Sequence, residues 1–118
     1  MGKGGNHRST GDAYEERAAE YLKEKGYEIL VRNFHSRYGE LDIIAREGNM
    51  LVFAEVKYRS RAEYGYPQEM VTAKKQRSLL LTAKWYLTKQ GYPEDTPCRF
   101  DVIAILGQEI THIINAFS

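Results

Sequence analysis

The sequence predicts an α/β domain with the element order α-β-β-β-α-β-β and a mixed sheet flanked by helices. Three observations predict it. Two stretches with helical apolar spacing stand well apart, one near the N-terminus and one from Thr72 to Gln90. Between them, two largely apolar runs with β-branched residues flank Gly48-Asn49, a two-residue hairpin signal in which Gly supplies the positive φ. After the second helix, Phe100-Asp101-Val102-Ile103-Ala104-Ile105-Leu106 is nearly continuous in apolar character, as expected of a central strand. The strands before and after the long helix should pair in parallel through a right-handed crossover, whereas the hairpin is antiparallel.

A chain of 118 residues supports one core, and 42% apolar with 28% charged residues is ordinary for a globular domain. No apolar run approaches the roughly 20 residues that span a bilayer, and the N-terminus lacks the apolar stretch of a secretory signal. No membrane partner is therefore expected. Cys98 is the single cysteine, which fits a reducing, cytoplasmic setting. Net charge is only +1, but six acids and three bases lie between Asp12 and Glu28, against eight bases and three acids from Glu55 to Gln90. A basic second half suits a polyanion docking on one side.

Residues 1–10 form a polar, Gly-rich stretch that reads as a disordered tail, leaving 11–118 as one domain. Ser9 or Thr10 can cap a helix running to about Lys25, with Gly26 as its stop. Its apolar stripe is Ala18, Ala19 and Leu22. Glu15 lies three, four and seven residues before them, so it projects from the buried face, where a carboxylate needs a partner. The alternative is a helix-end acid favoured by the macrodipole. Glu28 to Arg32 is the first strand, and Asn33 to Tyr38 a polar turn.

The Gly48-Asn49 turn then fixes register. Glu47 faces Met50, Ile44 faces Phe53, Asp42 faces Glu55 and Glu40 faces Lys57. One face (Leu41, Ile43, Ala45, Val52, Ala54, Val56) is wholly apolar. The other gathers Glu40, Asp42, Glu55 and Lys57. Asp42 opposite Glu55 costs about a few tenths of a kcal/mol as a like-charge cross-strand pair. A divalent cation reverses that sign, and Mg²⁺ needs few protein oxygens because it keeps several waters. The alternative is an ordinary half-exposed hairpin whose charged face is solvated.

Beyond Lys57, Arg59 and Arg61 interleave with tyrosines in a Gly/Pro loop, which suits phosphate contact and base stacking. The second helix buries Leu79, Leu80, Ala83, Tyr86 and Leu87. Lys74, Lys75 and Arg77 crowd its first turns, where cations oppose the helix dipole, and phosphate contact would explain them. Lys84 and Lys89 read as solvating residues. Gly107-Gln108 turns the chain into a last strand from Glu109 to Asn115.

Other chemistries find little footing. His7, His35 and His112 lack zinc-site spacing, Cys98 has no histidine nearby in sequence, and no Gly-rich phosphate loop precedes a helix. The carboxylates and Lys57 are the dense reactive set. They suit metal-assisted hydrolysis of a phosphodiester, with Lys57 orienting the attacking water or offsetting transition-state charge.

Asp42 followed across the hairpin by Glu55-Val56-Lys57 resembles the PD-(D/E)XK nuclease signature, with Leu41-Asp42 standing where Pro-Asp is the nominal form. Gly11-xxx-Glu15, Gly39-Glu40-Leu41-Asp42-Ile43-Ile44-Ala45, Leu51 to Lys57 with Arg59, Lys75-Gln76, Arg99-Phe100-Asp101-Val102 and Asn115-Ala116-Phe117 together resemble the bacterial YraN family, which is similar to archaeal Holliday-junction resolvases. The resemblance implies a restriction-endonuclease-like fold and a DNA endonuclease using Mg²⁺ or Mn²⁺. Asp42 and Glu55 would be its metal-binding acids, Lys57 its catalytic lysine and Glu15 its helix-one acid, with Glu40 accessory. Arg59, Arg61, Lys74, Lys75 and Arg77 would contact branched or duplex DNA, and similar junction-resolving proteins imply a homodimer. The other class of function is a non-cleaving nucleic-acid-binding module on the same fold.

Overall fold

Alternating apolar character and two tight glycine turns build three successive antiparallel strands. The computed structural model describes residues 9–59 and 71–117. Its elements are α1 (Ser9–Glu24), β1 (Glu28–Ser36), β2 (Gly39–Glu47), β3 (Met50–Arg59), α2 (Ala73–Gln90), β4 (Cys98–Leu106) and β5 (Glu109–Phe117). The five strands form one sheet in chain order, β1-β2-β3-β4-β5. Only the β3–β4 pair is parallel, so the sheet is mixed as expected. No helix among the described residues is long and apolar enough to cross a membrane.

The helices cover opposite faces. Ala18, Ala19 and Leu22 of α1 pack on Ile43, Ala45, Val52, Ala54 and Ile103. Leu79, Ala83 and Tyr86 of α2 pack on Ile44, Phe53, Phe100 and Val102. The hairpin is thus buried on both faces, and Glu55 of its polar cluster lies within reach of Lys75 on α2.

Several expected boundaries move. Ser9 and Thr10, expected to cap α1, lie inside it. β1 runs to Ser36 instead of ending at Arg32, because Asn33 takes a left-handed φ of 57° within the strand and the chain stays paired beyond it. β5 extends to Phe117 in the same way, past Asn115 at φ 55°. Leu41 joins the α2 side with its ladder partner Phe34, beyond the left-handed Asn33, and not the α1 side with Ile43. On α2, Leu80 is 39% exposed while Thr82 is fully buried. Thr82 Oγ1 donates to the Ser78 carbonyl at 2.8 Å, so its hydroxyl enters the core already paired. The tail before Ser9, and Arg61 with its neighbouring tyrosines, lie outside the described residues.

Candidate active site

The hairpin register holds as read up to a point. Glu47 pairs with Met50 and Ile44 with Phe53, and the ladder ends at Ile43 opposite Ala54. Asp42 comes next, and its side chain takes over: the Val56 N–H donates to Asp42 Oδ2 at 2.8 Å. The register with β1 places Asn33, at its left-handed φ, opposite Asp42. Glu55 follows on β3, 4% exposed and turned toward α2. Lys57 Nζ lies 3.2 Å and Lys75 Nζ 3.6 Å from the same Glu55 Oε2.

Electrostatics ties these groups together. Burial pushes the Asp42 carboxyl up to about 7, and the charges of Glu55 and Glu15 push the same way. The Val56 N–H and Lys75 pull it down without compensating. Glu15, on α1, is also raised by burial, against the opposing pull of Asn33 and Arg32. Its Oε1 is buried without a hydrogen-bond partner among the described residues. Glu15, Asp42 and Glu55 therefore share one field, with Lys57 and Lys75 at its edge. The alternative of a wholly solvated charged face does not hold for Glu55, which is 4% exposed.

Not every sequence-predicted residue joins this centre. Glu40, expected opposite Lys57, is half exposed and lies 3.6 Å from His35 of β1. The reason is that the β2–β3 ladder stops before reaching it, so strand alternation no longer aims it at Lys57. Lys75 enters the centre as an ion-pair partner of Glu55, which offsets the unfavourable placement of a cation near a helix start. Thr72 caps that helix, accepting from the Lys75 N–H at 3.1 Å. Lys74 and Arg77 remain exposed on α2. Arg59 donates to the Tyr58 carbonyl at 2.7 Å.

Among the described residues, no three His, Cys, Asp or Glu side chains converge closely enough to enclose a metal ion. A site for Mg²⁺ or Mn²⁺ needs less, because one or two carboxylates and several waters suffice for Mg²⁺. Asp42 and Glu55 are hard oxygen donors whose mutual repulsion a cation would relieve, and the orphaned Glu15 Oε1 faces a deficit of the same kind. The donor set fits such an ion.

A second polar cluster escaped the sequence reading. Asp101, wholly buried on β4, accepts from Arg99 at 3.0 and 3.2 Å and from the Asn115 N–H at 3.0 Å. His112 Nε2 lies 2.7 Å from its Oδ2, and an ionised carboxylate only accepts, so Nε2 donates. Tyr21 Oη sits 3.2 Å from His112 Nδ1. Arg99 also donates to Tyr27 Oη at 2.6 Å and to Glu47 at 3.0 Å. The available signal was a lone aspartate inside an apolar run, two residues after an arginine.

Comparison with known proteins places the chain. The model of "Uncharacterised protein family UPF0102" matches residues 14–105. A UPF0102 protein of Lachnoclostridium phytofermentans is 53% identical over 95% of each chain. One from Persephonella marina is 46% identical over 87% of this chain and 88% of its own. The UPF0102 protein YraN of Escherichia coli is 44% identical over 94% of this chain and 86% of its own.

Proposed function

The chain belongs to the UPF0102 family, and we propose that its buried carboxylate centre is the active site of a metal-dependent endonuclease of the PD-(D/E)XK, restriction-endonuclease-like type, acting on DNA. One observation carries this reading. Asp42, its Oδ2 held by the Val56 N–H at 2.8 Å, is raised to about 7 first by burial and then by the charge of Glu55, and both costs would be relieved by a cation.

Asp42 and Glu55 would hold Mg²⁺ or Mn²⁺, which when bound polarises a phosphate and lowers the pKa of water. Asp42 is aimed by the Val56 N–H, which fixes Oδ2. Lys57 Nζ, resting on Glu55 at 3.2 Å, can turn to orient the attacking water or meet the charge developing on the phosphate. Glu15 Oε1, buried and unpaired, can hold a proton at the edge of the centre. Lys75 keeps Glu55 in place and, with the exposed Lys74 and Arg77, gives the incoming phosphates a basic approach.

The test is cleavage of duplex, single-stranded, flap and four-way-junction DNA with Mg²⁺ or Mn²⁺, beside Lys57→Ala. Cutting that the substitution removes supports the reading, and the panel names the substrate. Folded protein that cuts nothing with either metal overturns it. A second reading, a non-cleaving nucleic-acid-binding module, draws on the two lysines that already neutralise Glu55. In that case DNA affinity should ignore chelators and fall on changing Arg59, Arg61 or Lys75.

A further inference from the structure

The outer face of α2 carries a patch that is exposed among the described residues. Trp85 is 42%, Leu81 43% and Tyr38, from the turn before β2, 38% exposed. With Lys84 and Thr88 they line a shallow pocket of about 200 Å³. The Tyr38 backbone is held against α2, because Ser78 Oγ donates to its carbonyl at 2.6 Å. The Arg37 guanidinium lies over its ring, 5.4 Å from the centroid. Single exposed apolar residues need no explanation, but two aromatic rings on one patch with a guanidinium stacked beside them do.

Charge narrows the choice of occupant. Within its 18 residues α2 carries Lys74, Lys75, Arg77, Lys84 and Lys89 and no acid. A surface that is both basic and aromatic complements a polyanion bearing flat apolar rings. The patch also leads to the carboxylate centre. Lys74, Ser78, Leu81 and Trp85 follow the i, i+4, i+7, i+11 spacing of one helical stripe. That stripe spans about 16 Å at the usual helical rise, and it begins beside Lys75, which reaches Glu55.

We propose that this patch is a stacking platform for unpaired nucleotides, with Trp85 and Tyr38 taking bases while Lys84, Arg37 and Lys74 meet phosphates. The proposal rests on the nuclease reading of the carboxylate centre and adds the substrate class: DNA with a single-stranded segment beside the bond to be cut.

Trp85 is the only tryptophan in the chain, so its emission reports directly on the patch. The full chain, in EDTA at low salt, is titrated with a dT oligonucleotide of about 16 nucleotides, the upper end of single-strand site sizes. Emission should be quenched by about half or more, while a blunt duplex of the same length leaves it nearly unchanged. Trp85→Ala should weaken oligonucleotide binding about tenfold by anisotropy, and Trp85→Phe, which keeps a ring, should hold it within about threefold. Unchanged emission at saturating oligonucleotide overturns the proposal. So does a blue shift seen only with phosphatidylglycerol vesicles, which would assign the patch to a membrane surface. A shift that grows with protein concentration alone would assign it to a second copy and overturn it equally. The titration contains no metal, so its failure is separate from a failure to cut.

Discussion

Asp101 meets His112, Arg99 and the Asn115 N–H, all of which donate to it. Asp42 meets one N–H and the field of two further carboxylates. Both are aspartates on strands of one sheet, and the fold treats them oppositely. Burial would push Asp101 up, but His112, Arg99 and Asn115 together hold its carboxyl below the ordinary range. Burial and Glu55 push Asp42 up to about 7. The closed network joins α1, β4 and β5 and leaves its central charge fully partnered. The open one retains capacity for a charge from outside. The number of donors around a buried acid, more than burial itself, separates a structural charge from one available for chemistry.

The strongest way to break this comparison is Asp101→Ala. It takes the acceptor from the Asn115 N–H and one partner each from Arg99, which keeps Glu47 and Tyr27, and His112, which keeps Tyr21, and should destabilise the domain by about 2–4 kcal/mol in urea unfolding. A loss below about 1 kcal/mol would mean that the closed network does not hold the fold. Lys57→Ala addresses the other cluster. It should lower DNA cleavage about 100-fold or more while costing no more than about 1 kcal/mol of unfolding free energy, because Lys75 still pairs with Glu55. A large stability loss without a rate effect would erase the distinction.

Asp42→Asn sharpens the contrast through pH. The folded pKa of Asp42, about 7, lies above its unfolded value. The native state therefore holds the extra proton, and this contribution to stability is present below the unfolded pKa and lost as pH rises through about 7. Asp101, with its folded pKa lowered, contributes stability above its unfolded pKa that is lost as pH falls through the folded value. In metal-free protein, Asp42→Asn should then be more stable than the parent by about 1–2 kcal/mol at pH 8 and equal to it only below the unfolded pKa, at about pH 3. Divalent cations should stabilise the parent at pH 8 and not the variant. Equal pH profiles for the two proteins would place the titration elsewhere.

The smallest expected effect tests how α2 reaches the open cluster. Gly39 adopts φ 145°, and a Cβ there would stand 2.2 Å from Ser78 Oγ. Gly39→Ala should cost about 1–2 kcal/mol. By moving α2 it should also weaken the contact of Lys75 with Glu55, seen as a change in the pH dependence of metal binding. Ser78→Ala in the same background should relieve part of the cost.

The open cluster was largely legible because its residues lie close in sequence to a turn that fixes register. Counting back from Gly48-Asn49 puts Asp42 and Glu55 together, and helical spacing alone turns Glu15 inward. Glu40 was misplaced because alternation was extended past Ile43, where the ladder ends and a side chain takes the next N–H. The closed cluster was illegible for a different reason. Asp101 sits in an apolar run, and Tyr21 lies 91 positions from His112, so no local pattern joins them. Sequence spacing tests His112 only as a metal ligand and carries no sign of its bond to Asp101. Leu80 and Thr82 exchanged places because stripe counting ranks side chains by apolarity and cannot see a hydroxyl satisfied by its own helix.

The strand order carries a consequence for how the chain folds. Because β1 to β5 lie side by side in chain order, three of the four neighbouring pairs close as antiparallel hairpins across short turns. Only the parallel seam between β3 and β4 must wait for the long connection through α2. Short closures are fast and distant ones slow, so the rate-limiting step should be the zipping of that seam. The Arg99 bond to Glu47 spans it directly, and the Arg99 bond to Tyr27 and the Tyr21–His112 contact tie the last two strands back to the N-terminal part of the chain. The closed network is thus a latch that forms late, whereas Glu15, Asp42, Glu55 and Lys57 all belong to the segment able to assemble before it.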